Sequence, residues 1–286
     1  MQASRTWGVV FAIALLGAVP CHAVLIASGD GTGNTSAPAD DPGWANVGTR
    51  TTGLTVIYLG NGWVLTANHV GAGDVILAGQ TYSAISGSEH QLVNPDSTQA
   101  DLLLFQINGL PSLPFLPIAT TPPTTTSVAT EIGAGLNRGA ATSWNGINGF
   151  FWGSGTTMRW GTAPVSQVGL DISLGGTVTR TFVTEFTDVG VTPFPAQAAE
   201  GDSGGAAFVK VNGSWMLAGV LDAIDDYNGQ PAGTALFGNH TYAADLSFYR
   251  NQIVPLVTPG CGLGAELVPI LPLLVWLRGR RHRRRA

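Results

Sequence analysis

Apolar positions in the middle of this 286-residue chain come in short runs broken by glycine and asparagine, and long apolar stretches occur only near its two ends. Residues 55–70 hold two such runs hinged on Asn61-Gly62, a dipeptide that accepts the positive φ of a tight hairpin turn. Residues 206–221 repeat the arrangement about Asn212-Gly213. Between them, Ala100–Phe105 is an apolar run opened by an acid, Asp101, and reads as a buried strand. Further breaks at Gly71–Gly73, Gly87 and Asn108-Gly109 divide residues 51–121 into a first set of strands. A proline- and threonine-rich connector, 110–126, leads to a second set, punctuated at Gly133–Gly139, Asn145-Gly146, Gly175-Gly176 and Gly201–Gly205. Helical spacing returns only near the end, with Leu246, Tyr249 and Ile253 on one face. Charged residues make up only 11% of the chain against 39 glycines and 17 prolines, which suits many short strands and turns.

The two apolar ends read as targeting segments. Arg5, the apolar stretch Gly8–Val19 and the small residues around Ala23 predict a secretory signal peptide over 1–23, cleaved after Ala23. That stretch is too short to span a bilayer. A turn-rich lead-in follows over 24–50, whose Asp30, Asp40 and Asp41 lack the spacing of a calcium loop and are assigned to turns. Residues 258–286 form a tail with Gly260-Cys261-Gly262, an apolar run over 263–277 and an arginine cluster from Arg278 to Arg285. Fifteen helical residues cover roughly 22 Å, short of a roughly 30 Å hydrocarbon core. The tail resembles the bacterial C-terminal sorting signals of the PEP-CTERM and MYXO-CTERM class, which implies membrane contact through the tail and processing by a sorting enzyme. An exported protein, anchored at the cell surface or released, is therefore expected.

Removing both ends changes the chemistry of what remains. The only cysteines are Cys21 and Cys261, so the exported domain has no disulfide. Residues 24–260 carry six basic residues against 17 acidic ones, a formal charge of −11 that the −5 of the whole chain conceals. Such a surface argues against nucleic acid as a partner.

The candidate chemistry centres on Glu200-Gly201-Asp202-Ser203-Gly204-Gly205. Glycines on both sides of Ser203 let the backbone turn and approach a ligand, and the amides of Gly201 and Ser203 are candidate donors to an oxyanion. Alone, the run is also an ordinary Asx-type turn. Gly-Asp-Ser-Gly-Gly resembles the nucleophile motif of the trypsin/chymotrypsin-like serine proteases. Upstream, Thr66-Ala67-Asn68-His69-Val70 is similar to the family's Thr-Ala-Ala-His-Cys, with Val70 in place of the cysteine. Ala100–Phe105 resembles the segment that carries the family's aspartate. The order His69, Asp101, Ser203 separates this family from α/β-hydrolases and subtilisins.

The resemblance covers about residues 50–256 and is weak between 135 and 192. It implies an all-β fold of two packed antiparallel six-stranded barrels, 51–121 and 122–257, the second ending in a short helix. It further implies a secreted serine endopeptidase acting on proteins or peptides, with Ser203 as nucleophile, His69 as base, Asp101 as its orienter, and no cofactor or metal. Gln197, six residues before Ser203, stands where arginine- and lysine-cleaving members carry aspartate. Asp222, with Asp225 and Asp226, is a second candidate wall of the substrate pocket, where Asp222-Ala223-Ile224 replaces the family's Ser-Trp-Gly. In the family the acid at Asp202 pairs with a freed N-terminus; Val24 after signal cleavage, or Arg159, is the candidate partner here. Two other classes stay open: an esterase or acyl transferase using the same triad, and a non-catalytic surface-binding protein on the same fold.

Overall fold

The computed structural model describes residues 24–258. The expected signal peptide (1–23) and the sorting tail beyond residue 258 lie outside the described residues. β1 (Leu25–Ile26) opens the chain, and a 3-10 turn (Trp44–Asn46) leads into β2 (Val47–Arg50). β3 (Thr55–Gly60), β4 (Trp63–Thr66), β5 (Val75–Leu77), β6 (Gln80–Tyr82), β7 (His90–Val93) and β8 (Gln99–Gln106) complete the first unit, an antiparallel sheet ordered β6-β5-β2-β3-β4-β8-β7. β2 thus begins the first unit four residues inside the lead-in, where Val47, Gly48 and Thr49 pair with Ile57, Val56 and Thr55 of β3. β6 and β7 belong to one bent run of chain. β6 bonds β5, and past Tyr82 the chain turns onto β8, with Ile85 N donating to Gln106 O at 2.8 Å and Asn108 N to Ser83 O at 2.7 Å. That switch of partners curls the seven-stranded sheet into a barrel-like unit.

The second unit is built from β9 (Val128–Gly133), β10 (Leu136–Trp144), β11 (Ile147–Thr156), β12 (Arg159–Leu174), β13 (Thr177–Glu185), β14 (Ala196–Gln197), β15 (Ala206–Val211), β16 (Ser214–Asp225), β17 (Thr234–Leu236) and β18 (His240–Asp245). Six of these close a barrel in the order β12-β13-β18-β16-β15-β9. β10, β11 and β17 form a separate three-stranded sheet, and β1 pairs with β14. Helix α1 (Leu246–Val257) follows directly on β18, capped by Asp245, whose carboxylate accepts from Ser247 N at 2.9 Å. The expected helical face is buried: Leu246, Tyr249 and Ile253 are each 0% exposed.

Period-2 patterning explains how the units pack. Every residue of β3 is buried, so both of its faces are covered. Ile57 and Leu59 join one apolar cluster, which also takes in Ile132, Phe208, Leu217 and Val220 of the second barrel and Tyr249 and Ile253 of α1. Val56 and Tyr58, on the opposite face, join Val64, Val75, Leu77, Phe105 and Ile107 within the first barrel. The seam between the barrels is therefore core rather than surface, each fully buried Leu or Ile side chain contributing about 2 kcal/mol. No helix among the described residues is long and apolar enough to cross a membrane.

Candidate active site

His69 is set by the end of β4. The strand stops at Thr66 and the chain turns, Val70 N donating to Ala67 O at 3.1 Å, which swings the imidazole out to the cleft with 41% of its side chain exposed. Arg50 steadies the next residue by donating to Val70 O at 2.6 Å. Asp101 lies within β8, 2% exposed. It grips His69 twice: Oδ1 accepts from the His69 amide at 2.8 Å and Oδ2 meets Nδ1 at 2.6 Å. Its own amide donates to the Thr179 hydroxyl of β13 at 2.9 Å, which ties the carboxylate's position to the second barrel.

These contacts set the electrostatics. The hydrogen bond from Asp101, reinforced by the charges of Asp101 and Asp222, raises the His69 pKa above its ordinary 6.5 despite partial burial. Burial alone pushes Asp101 up, but its bonds and charge interaction with His69 outweigh this and hold the carboxyl below its usual range.

Ser203 sits in the loop between β14 and β15, and Ser203 O accepts from Thr55 N of β3 at 3.3 Å. Gly204 has φ +84° and lies against Thr55 O and the Thr66 hydroxyl, so a side chain there has neither the conformation nor the room. The loop's amides divide in an informative way. Those of Asp202, Gly204 and Gly205 are spent on Ala199 O, Leu221 O and Asp202 O, at 3.1, 2.8 and 2.8 Å. Those of Gly201 and Ser203 have no acceptor among the described residues.

Asp202, 0% exposed, fixes this loop from behind. Its carboxylate accepts from Gly135 N at 2.6 Å and Ala199 N at 2.7 Å. The glycines at 133 and 135 are explained by that approach, since a Cβ at either would strike the carboxylate. Burial, with the nearby Glu131 adding to it, pushes Asp202 up to about 7 against its backbone bonds. Arg159 is not its partner: its guanidinium donates to Gly33 O at 2.7 Å and to Asn137 Oδ1 at 3.1 Å. Val24, 0% exposed, lies against Gly133 on the same side as Asp202.

A cavity of about 300 Å³ opens beside Ser203, lined by Trp152, Ala198, Ala199, Glu200, Leu221, Asp222, Ala223 and Ile224. One sequence expectation is corrected here. Gln197 is buried in β14 opposite Leu25 and does not line the cavity. Asp222 does line the cavity, but its side chain is 0% exposed, with Oδ1 4.0 Å from His69 Nδ1. Trp152 went unnoticed in the sequence, and only its place in the separate sheet of β10 and β11 brings it to the cavity. The other aspartates are engaged: Asp30 caps Thr32, Asp41 accepts from Gly43 N and Trp44 N, and Asp40 pairs with Lys210. His240 meets Asp225 at 3.1 Å, and His90 lies tilted against Trp63, ring centres 5.8 Å apart.

The sequence profile of the family described as Trypsin matches residues 32–245. The chain belongs to the trypsin family. This trypsin-family chain is thereby a serine-type endopeptidase. Its fold is similar to that of neuropsin, a serine protease expressed in the limbic system of mouse brain, at TM-score 0.52 and 15% identity, covering 79% of this chain and 99% of that one. Weaker likenesses are to the inactive form of the Rv3671c protease (TM-score 0.45, 17% identity, 75% and 90% covered) and the NS6 protease of murine norovirus 1 (0.42, 18%, 73% and 93%). No curated protein matches this trypsin-family chain by sequence.

Proposed function

We propose that this endopeptidase works through a triad of Ser203, His69 and Asp101 and is exported. The observation that carries the triad is the pairing of a doubly held His69–Asp101 couple with a serine loop in which the Gly201 and Ser203 amides are unspent. Ser203 Oγ attacks the scissile carbonyl and His69 takes its proton. The two free amides stabilise the oxyanion, and the proton passes to the leaving amine. Water then repeats the steps on the acyl-enzyme.

The cavity walls favour a small or aliphatic side chain on the acyl side of the cut bond. Alanines 198, 199 and 223, Leu221, Ile224 and Trp152 supply no buried charge, and Glu200 is exposed. Peptide amides ending in alanine, valine or leucine should exceed arginine and lysine analogues in kcat/KM by about tenfold or more. Ester substrates cut without peptide cleavage would move the reading to an esterase.

Export rests on the 1–23 and tail patterns, and activation follows from it. Cleavage after Ala23 would free an amine at Val24, the residue buried beside Asp202, and supply the cation that carboxylate lacks. The protein should carry Val24 as its mature N-terminus, and a version with added residues before Val24 should be poorly active. The direct test is labelling by a fluorophosphonate beside a Ser203→Ala control: Ser203-dependent labelling is expected, and no labelling of processed, folded protein would overturn the reading.

A further inference from the structure

Asp222 occupies an irregular point of β16. The register with β18 slips between Leu221 and Ala223, and a residue at such a bulge is re-aimed relative to its neighbours. The slip turns a carboxylate inward, where its side chain is 0% exposed and Oδ1 lies 4.0 Å from His69 Nδ1. The ring nitrogen and one oxygen from each of Asp101 and Asp222 all lie within 4.8 Å of one another. Asp101 has both oxygens engaged by His69 N–H groups. Asp222 closes no well-formed hydrogen bond on either oxygen among the described residues, the Thr179 hydroxyl giving it only a weak one. Two ionised, acceptor-only carboxylates facing each other out of water repel strongly, and a single shared proton converts the clash into an O–H···O⁻ hydrogen bond. The proton belongs on Asp222, because Asp101 is the partner whose charge the N–H groups stabilise.

We propose that Asp222 is a positioning residue of the triad: in its neutral acid form it donates a hydrogen bond to Asp101 and holds that carboxylate against His69. The inference rests on the triad reading above. Burial, then the charge of Asp101, push Asp222 up to about 8, so the neutral form prevails at pH 7. Other groups around it are accounted for. Thr179 on β13 is neutral; Arg180 beside it is paired with Asp171. Tyr249 on α1 is pushed up to about 12 by burial and stays neutral. Across β18 the Tyr242 hydroxyl donates to Asp225 at 2.9 Å. Glu200, exposed, shares the cavity lining. Loss of the Asp222 proton removes the tether and sets a second negative charge beside the imidazole. Asp101 is then held less firmly against His69, and activity declines on the alkaline side.

The test is the pH profile of kcat and KM for the processed wild-type protein and for Asp222→Asn, Asp222→Ser and Asp222→Ala, with Ser203→Ala as the control. Wild type should show an alkaline decline near pH 8. Asn and Ser, which donate without ionising, should lower kcat about threefold and abolish that decline. Ala, which cannot donate, should lower kcat about tenfold or more with KM within about twofold. An Asn variant that keeps the decline, or an Ala variant indistinguishable from Ser in kcat, would overturn the inference. Activity surviving in Ser203→Ala would instead overturn the triad reading. Ser and Ala have similar size, so a purely structural role would shift the melting temperature of both and leave their kcat values equal.

Discussion

At the scale of single residues, His69 gives the clearest pH consequence. Only the neutral imidazole can take the serine proton, and its pKa is raised above 6.5, so half-maximal kcat/KM on the acid side should fall above pH 6.5. Asp101→Asn removes the charge that raises it and reverses the preferred tautomer. That variant should lose on the order of 10⁴ in kcat while folding normally, as burst titration and circular dichroism would show. The three positions of the proposed triad stand out in the sequence because each is embedded in a local motif. Asp222 was legible as a replacement for the family's serine and as part of the pocket wall. Whether its side chain faces substrate or His69 depends on a register slip that no local pattern reveals.

Elements carry the next level. The hairpin turns were readable because Asn61 and Asn212 do adopt positive φ, 50° and 51°. The helix was readable from three spaced apolar residues. β10, β11 and β17 were not. β10 has no fully buried residue and β11 alternates poorly, since the sheet they form covers β1 and the cavity rather than filling a barrel. Helix α1 also does more than pack. The Tyr249 hydroxyl donates to Asn94 Oδ1 and accepts from Arg180 N, each at 2.9 Å, joining a loop of the first barrel to β13 of the second. Tyr249→Phe should cost about 1–3 kcal/mol, measured by denaturant unfolding, because it strands two half-buried partners while keeping the ring.

The whole molecule answers to pH through its buried acids. Glu131 and Asp202 are pushed up to about 7 and Asp222 to about 8, in each case chiefly by burial, from ordinary values of 4.5, 3.8 and 3.8. Between about pH 4 and pH 8 the native state therefore binds more protons than the unfolded chain, and stability falls as pH rises through that window. His69, also raised, contributes in the same direction, its share being lost as pH climbs past its native pKa. Melting temperature should be highest near pH 5 and lower by several degrees at pH 9, where a chain with 17 acids among residues 24–260 also repels itself.

Thr55 of the first barrel is the point where one half of the molecule touches the other's reacting loop. Its amide holds Ser203 O, and its hydroxyl lies between Gly201 O and the Ala134 amide, at 3.4 and 3.1 Å. The proposed oxyanion donors are thus gauged against a strand that contributes nothing to their own backbone. A displacement of one barrel by an ångström is felt at the scissile bond, where errors of that size cost about a hundredfold. A small molecule wedged into the seam near Thr55 would silence the enzyme with the cleft still open, and raising the substrate concentration would not rescue it.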